Sequence, residues 1–225
     1  MSLDNLRALY RRADLDDIRE GRLAYERYHE TMKAFAYHYG APLPETIAAF
    51  CALSPNSDYH GNLRSLASVL AGYYSGGTCD DVVVSTYKHC RDRAWNYIAG
   101  HADFDTDNRG PKIRAFYHNI LDPTDDRWVT VDGHMVAAHA GRNVTMKEAH
   151  IGRAQYRAIA ADIRALAFDL FMVPCELQAT LWFARKRIAN VKYDPQMELF
   201  GASNDKWRTL NSPENIRPYS RKEMA

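Results

Sequence analysis

Apolar positions recur every three to four residues along most of the chain. Leu3, Leu6, Leu9 and Tyr10, then Ile18, Leu23, Tyr28, Met32, Phe35, Ala36 and Tyr39 keep this helical spacing, and Gly40-Ala41-Pro42 stops it. The many polar residues between them predict a surface helix pair covering a core. Pro44 and Glu45 then open a helix with Ile47, Phe50 and Leu53 on one face. The polar loop Ser54-Pro55-Asn56-Ser57-Asp58-Tyr59-His60-Gly61 follows. Asn62 reads as the cap of a further helix striped by Leu63, Leu66, Leu70 and Tyr73. Val82 to Val84 can form a short strand, and Ser85 reads as the cap of a helix over 86–99. That helix packs through Tyr87, Cys90, Ala94, Tyr97 and Ile98.

Beyond an acidic loop ending at Arg109, Pro111 to Leu121 reads as helix, and Val129-Thr130-Val131 is a short β-branched run ending at Asp132. His134 to His139 begins another helix, which Gly141-Arg142 ends. Two longer helices follow, over 152–170 and 175–189, and the chain from Asn190 reads as a polar tail with Leu199, Phe200 and Trp207 as anchors. The pattern predicts an all-α protein of about eight to ten helices. We divide it into an N-terminal helical cover (1–40), a core (41–190) and a C-terminal tail packed on the body (191–225).

Composition changes this picture little. The 225 residues are 46% hydrophobic and 25% charged, and a net charge of +1 means that any nucleic-acid surface must be a local patch. Cys51, Cys79, Cys90 and Cys175 form no CxxC pair, the usage of reduced thiols in an intracellular protein. Asp103, Asp105 and Asp107 alternate as in a calcium loop, but that loop's glycine and closing glutamate are missing. No metal or cofactor is expected. The N-terminus lacks the features of a signal peptide, and no apolar run is long enough to span a bilayer. A cytoplasmic protein without membrane contact is expected.

Two stretches carry candidate chemistry. Gly110 can take backbone angles that other residues resist, and Pro111 suits a first helical position. Lys112 and Arg114 then place positive charge at a helix start, which is a seat for phosphate. Asp132 can cap the next helix, where the ionised carboxylate is favoured. Taken alone, Asp132 reads equally as an ordinary cap, and the lysine and arginines as solvated surface.

The serial order of these stretches resembles a known family. Leu53-Ser54-Pro55-Asn56, then Thr86-Tyr87-Lys88-His89-Cys90-Arg91-Asp92-Arg93-Ala94, then Gly110-Pro111-Lys112, then Val131-Asp132-Gly133-His134 is similar to the helix-hairpin-helix DNA glycosylase superfamily, the endonuclease III and adenine-glycosylase-like group. The likeness covers roughly 46–141 and extends through the helix pair over 152–189. Asp107-Asn108-Arg109-Gly110 stands where that group has proline-glycine-hydrophobic-glycine, so the hairpin is degenerate. No four-cysteine cluster follows Asp132, so the resemblance implies no iron–sulfur cluster. The chain also looks like divergent members carried by phages and by phage-defence loci.

The resemblance implies two helical lobes with a helix-hairpin-helix-like element and a cleft between them. It implies a monomeric enzyme that flips a modified base out of double-stranded DNA and hydrolyses its glycosidic bond. Asp132 falls on the catalytic aspartate, and Lys112 near a lysine that some members use as nucleophile; phosphate contact is its other reading. Asn56 falls on the residue that fills the hole left by the flipped base, though a turn-forming asparagine after Pro55 reads almost as well. Tyr59 and His60 are candidates to stack or wedge, and His134 to orient the catalytic turn. Lys88, Arg91, Arg93, Arg109, Gly110 and Arg114 would contact the DNA backbone. Trp95, Tyr97, Phe116 and Tyr117 either line a base pocket or belong to the core. Trp182, Arg185, Lys186 and Arg187 read as a second basic edge or as an amphipathic helix. The alternatives are a transferase acting on a hypermodified thymine with an amine co-substrate, and a non-catalytic DNA-binding protein of the same fold.

Overall fold

The structure, a computed structural model, describes residues 2–107, 110–189 and 204–223. It is all-α, with no strand among the described residues. The helices are α1 (Ser2–Tyr10), α2 (Leu15–Tyr39), α3 (Leu43–Leu53), α4 (Tyr59–Tyr74), α5 (Lys88–Ile98) and α6 (Pro111–Leu121). They continue with α7 (Gly133–Ala140), the single turn α8 (Met146–Ala149), α9 (Arg153–Asp169), α10 (Pro174–Ile188) and α11 (Asn204–Leu210).

Contacts divide the chain into two units, each assembled from separate stretches. The first comprises 1–26 and 110–193, the second 27–109 and 194–225.

In the first unit α1, α7, α9 and α10 pack together. Leu6, Val129, Val131, Met135, Ile159, Ile163, Leu177 and Leu181 form one buried cluster. Leu6 is fully buried, so α1 belongs to this core rather than lying over it. The packing explains the helical register: α9 buries Ile159, Ile163 and Leu166, which share one face. Each fully buried leucine or isoleucine contributes about 1.5–3 kcal/mol.

In the second unit α3 is the central helix. Every residue from Thr46 to Leu53 is buried, a wider apolar surface than the single stripe read from the sequence. It packs against α4 and α5. The segment from Asn204 folds onto this unit. Arg64 pairs with Glu223 at 2.7 Å, its guanidinium lies 4.0 Å from the Tyr219 ring centre, and Ser68 Oγ accepts from Tyr219 N–H. Trp207 is buried, as an anchor should be; Leu199 and Phe200 lie outside the described residues.

Three local expectations need correction. Asp58, not Asn62, caps α4: its Oδ1 accepts from Gly61 N–H, while the buried Asn62 amide donates to Phe50 O. Ser85 caps no helix, because its hydroxyl bonds Ser57 and Ser65; α5 begins later, with Tyr87 at the cap position. Gly110 sits at φ −62°, ordinary backbone, and makes no use of a glycine's extra freedom.

Candidate active site

Asp132 occupies the N-cap of α7. Its Oδ1 accepts from Met135 N–H at 2.9 Å, and its backbone carbonyl takes Val136 N–H. The carboxylate is half-buried, and among the described residues no hydrogen bond or ion pair engages its other oxygen.

The chain entering the cap is held by a buried tyrosine. Tyr156, on α9, donates its hydroxyl to Val129 O at 2.7 Å and accepts Val131 N–H at 3.1 Å. Those bonds satisfy two backbone groups that have no strand partner. Burial pushes the Tyr156 hydroxyl up to about 12, with the Asp132 charge adding to the rise and the Val131 hydrogen bond opposing it. The hydroxyl is therefore protonated throughout the neutral range and can keep donating.

Helix α10 lines the other side of the cap. His134 meets the Trp182 ring edge-on, 5.9 Å between centres, and Lys186 Nζ lies 3.9 Å from the centre of the same indole. Arg185 stands one turn after Trp182. Burial pulls its pKa below the ordinary guanidinium value, and the charge of Asp132 acts in the opposite direction. The basic edge read from Arg185, Lys186 and Arg187 is not one patch. Lys186 is buried on Trp182, and Arg187 is bonded to Asp17 at 2.6 Å and to Asp14 at 3.1 Å.

At the start of α6, Lys112 is exposed, with no side-chain partner among the described residues, and Arg114 is half-buried. An exposed amine lacks the desolvation that a Schiff-base lysine requires. Phe116 packs edge-on against Tyr25, and Tyr117 is buried.

The remaining sequence-derived candidates lie in the second unit. Asn56 is exposed at φ 55°, a left-handed conformation that asparagine tolerates. Its loop is tied to the segment before α5: Ser57 bonds Ser85 at 2.9 Å, and Thr86 Oγ1 donates to Pro55 O. Tyr59 is only 5% exposed, so it is not available as a wedge. Its ring packs among Tyr28, Phe50 and Trp207, and burial pushes its hydroxyl pKa far upward. His60 beside it is half-buried.

Lys88 is exposed, but Arg91 is not a free cation. It is buried, paired with Asp80 at 2.8 Å and Asp92 at 2.7 Å. Arg93 is half-buried and approaches Asp107 at 3.5 Å, where Tyr97 also donates at 2.6 Å. Tyr97 itself is buried, and Trp95 packs against Tyr73. Arg109 lies outside the described residues. Asp132, His134, Lys112, Gly110 and Arg114 thus belong to the first unit, and Asn56, Tyr59, His60, Lys88, Arg91 and Arg93 to the second.

Two contributors carried no clear local signal. Tyr156 reaches the Asp132 turn from 25 residues along the chain, and only its place on the buried face of α9 hinted at a role. Arg185 was visible merely as one cation among three.

A family model described as "Family of unknown function (DUF7178)" matches residues 2–190, and the chain belongs to that family. No curated protein and no solved structure matches it.

Proposed function

We propose that this DUF7178 member is a DNA glycosylase that flips a modified base out of the duplex and hydrolyses its N-glycosidic bond. One observation carries the reading: a carboxylate fixed by one oxygen at the head of α7, with its other oxygen unengaged. Breaking the bond to the base builds positive charge on the sugar. A preorganised carboxylate stabilises that charge and orients or deprotonates the attacking water. Tyr156 supports the role by holding the backbone before Asp132, so little reorganisation is needed during the reaction. The same order of motifs in the helix-hairpin-helix superfamily adds to the case by analogy.

Under this reading Asp132 is the catalytic residue. Lys112, exposed and unpaired, contacts phosphate, and the product is an intact abasic site. Asn56 and Lys88 remain exposed and able to meet DNA, whereas Tyr59 and Arg91 are committed to packing and ion pairing within the protein.

The test is incubation with duplex DNAs carrying natural and phage-type modified pyrimidines, followed by mass analysis of released bases. A released base, with loss of at least about 100-fold in rate in Asp132→Asn and retained DNA binding, is the expected result. An amine-dependent product on an intact strand would instead identify the transferase. DNA binding with no base chemistry and no effect of Asp132→Asn would identify a non-catalytic binder.

A further inference from the structure

Several arginines of the first unit are answered by acids. Arg7, Arg19, Arg127, Arg142 and Arg187 each hold a carboxylate at ion-pair distance. Arg12 and Arg185 do not, nor do Arg11, Arg22, Arg153, Arg157 and Arg164 among the described residues; what sets Arg12 and Arg185 apart is that they border the same cavity. The Arg12 guanidinium has no partner among the described residues, and that of Arg185 has only the neutral Asn143 Oδ1, at 2.8 Å. The Nε of Arg185 is fully enclosed and makes no hydrogen bond. A desolvated guanidinium N–H without an acceptor is costly, but this one is closed to a ligand, so Nη1 is the Arg185 group left for one.

Both arginines line one cavity of about 390 Å³ in the first unit. Arg142 and Asn143 border it from the segment after α7, and Leu9 and Ile188 supply apolar wall. No acidic side chain among the described residues lines it. Its volume falls within the roughly 300–1,000 Å³ typical of small-molecule sites.

The ends of α1, α7 and α10 lie around this cavity, and their carbonyl dipoles are partly negative. These ends are already satisfied by other groups. Asn5 donates to His139 O, Arg142 N–H to Ala137 O, and Arg187 to Arg12 O. The guanidinium groups of Arg12 and Arg185 bond none of them, which leaves the Arg12 guanidinium and Nη1 of Arg185 for an external acceptor.

We propose that this cavity binds a phosphate-bearing small molecule of nucleotide size. The Arg12 fork and Nη1 of Arg185 take phosphate oxygens, the Asn143 amide donates alongside them, and the Leu9–Ile188 wall contacts the organic part. Arginine is the residue suited to this, because its planar fork matches phosphate geometry. Arg142 remains with Glu148, 2.6 Å away, and adds little net field. The inference is independent of the glycosylase reading.

Titration calorimetry on the full chain tests it, with inorganic phosphate, thymidine 5′-monophosphate and thymidine as probes. The monophosphate should bind once per chain, more tightly than inorganic phosphate, and thymidine should not bind. Arg12→Gln and Arg185→Gln should each weaken the monophosphate at least tenfold, and Arg185→Lys should restore only part of the loss. Arg12 is exposed and its side chain makes no contact that holds the fold, so the melting temperature of Arg12→Gln without ligand should be unchanged. No saturable binding of either phosphate, or binding indifferent to both glutamine variants, would overturn the proposal. A fall in melting temperature with no phosphate binding would assign these arginines to the helix ends instead. Competition by duplex DNA lacking terminal phosphates would overturn the proposal by assigning the cavity to the DNA backbone.

Discussion

The Asp132 turn depends on one hydroxyl. Tyr156 satisfies a buried N–H and a buried carbonyl on either side of Thr130, and no strand does so in its place. Phenylalanine keeps the ring packing and removes both bonds. Tyr156→Phe should therefore destabilise the fold by about 1–3 kcal/mol, the cost of stranding buried backbone groups. Urea denaturation measures this, and an unchanged midpoint would show that water or a shifted backbone replaces the hydroxyl. If Asp132 acts on DNA, the same variant should lower the rate of base release while leaving DNA binding intact. Nothing local around residue 156 announces this contact. The sequence shows an aromatic residue on an apolar helix face, and only packing aims its oxygen at the Asp132 turn.

Helix packing is least forgiving where α2 meets α10. A Cβ on Gly21 would lie 2.5 Å from the backbone nitrogen of Thr180 and 2.6 Å from its Cα. Backbone cannot rotate aside as a side chain can, so the two helices would have to separate. Gly21→Ala should cost at least about 1–3 kcal/mol, the range for overpacking, read from thermal or urea unfolding. Gly110 provides the contrast. It has normal φ and nothing within 4 Å of an added Cβ, so Gly110→Ala should change stability by no more than about 1 kcal/mol. Gly110 stands beside a proline at a helix start, whereas Gly21 sits mid-helix in α2. Mid-helix glycine normally costs stability, and it is kept here by the approach of a distant helix.

Across the whole chain, many acids are held in their charged form. Hydrogen bonds from Arg127 hold Asp125 at about 2, and those from Arg142 and Thr145 hold Glu148 at about 2. The Ser220 backbone and Arg64 do the same for Glu223, also at about 2. Burial pushes Asp162 upward, but bonds from His139 and Ser2 outweigh it and the net shift is down. A carboxylate with a depressed folded pKa stabilises above its unfolded value and loses that contribution as pH falls through the folded one. Melting temperature should therefore be flat near neutrality and fall between about pH 4.5 and pH 2. Scanning calorimetry across that window, with Asp125→Asn showing a shallower decline, checks the sign; a melting temperature that rises on acidification would contradict it.

The sequence by itself determined the helical class and much of the helix register. Heptad-like apolar spacing is a local property, and so are stops such as Gly141, which takes φ 69° at the end of α7. The Asp132 cap was equally visible, because an N-cap acid bonds a backbone N–H three residues ahead. Tertiary structure alone decided which polar groups face solvent. Tyr59 and Arg91 looked available until Trp207 covered the first and Asp80 and Asp92 claimed the second. Arg12, which nothing in the sequence marks, and Arg185, which the sequence shows only as one cation of a basic edge, are brought to one cavity whose described lining holds no acid. Spacing along a chain reports the face of a helix, but burial and pairing depend on what other elements bring to that face.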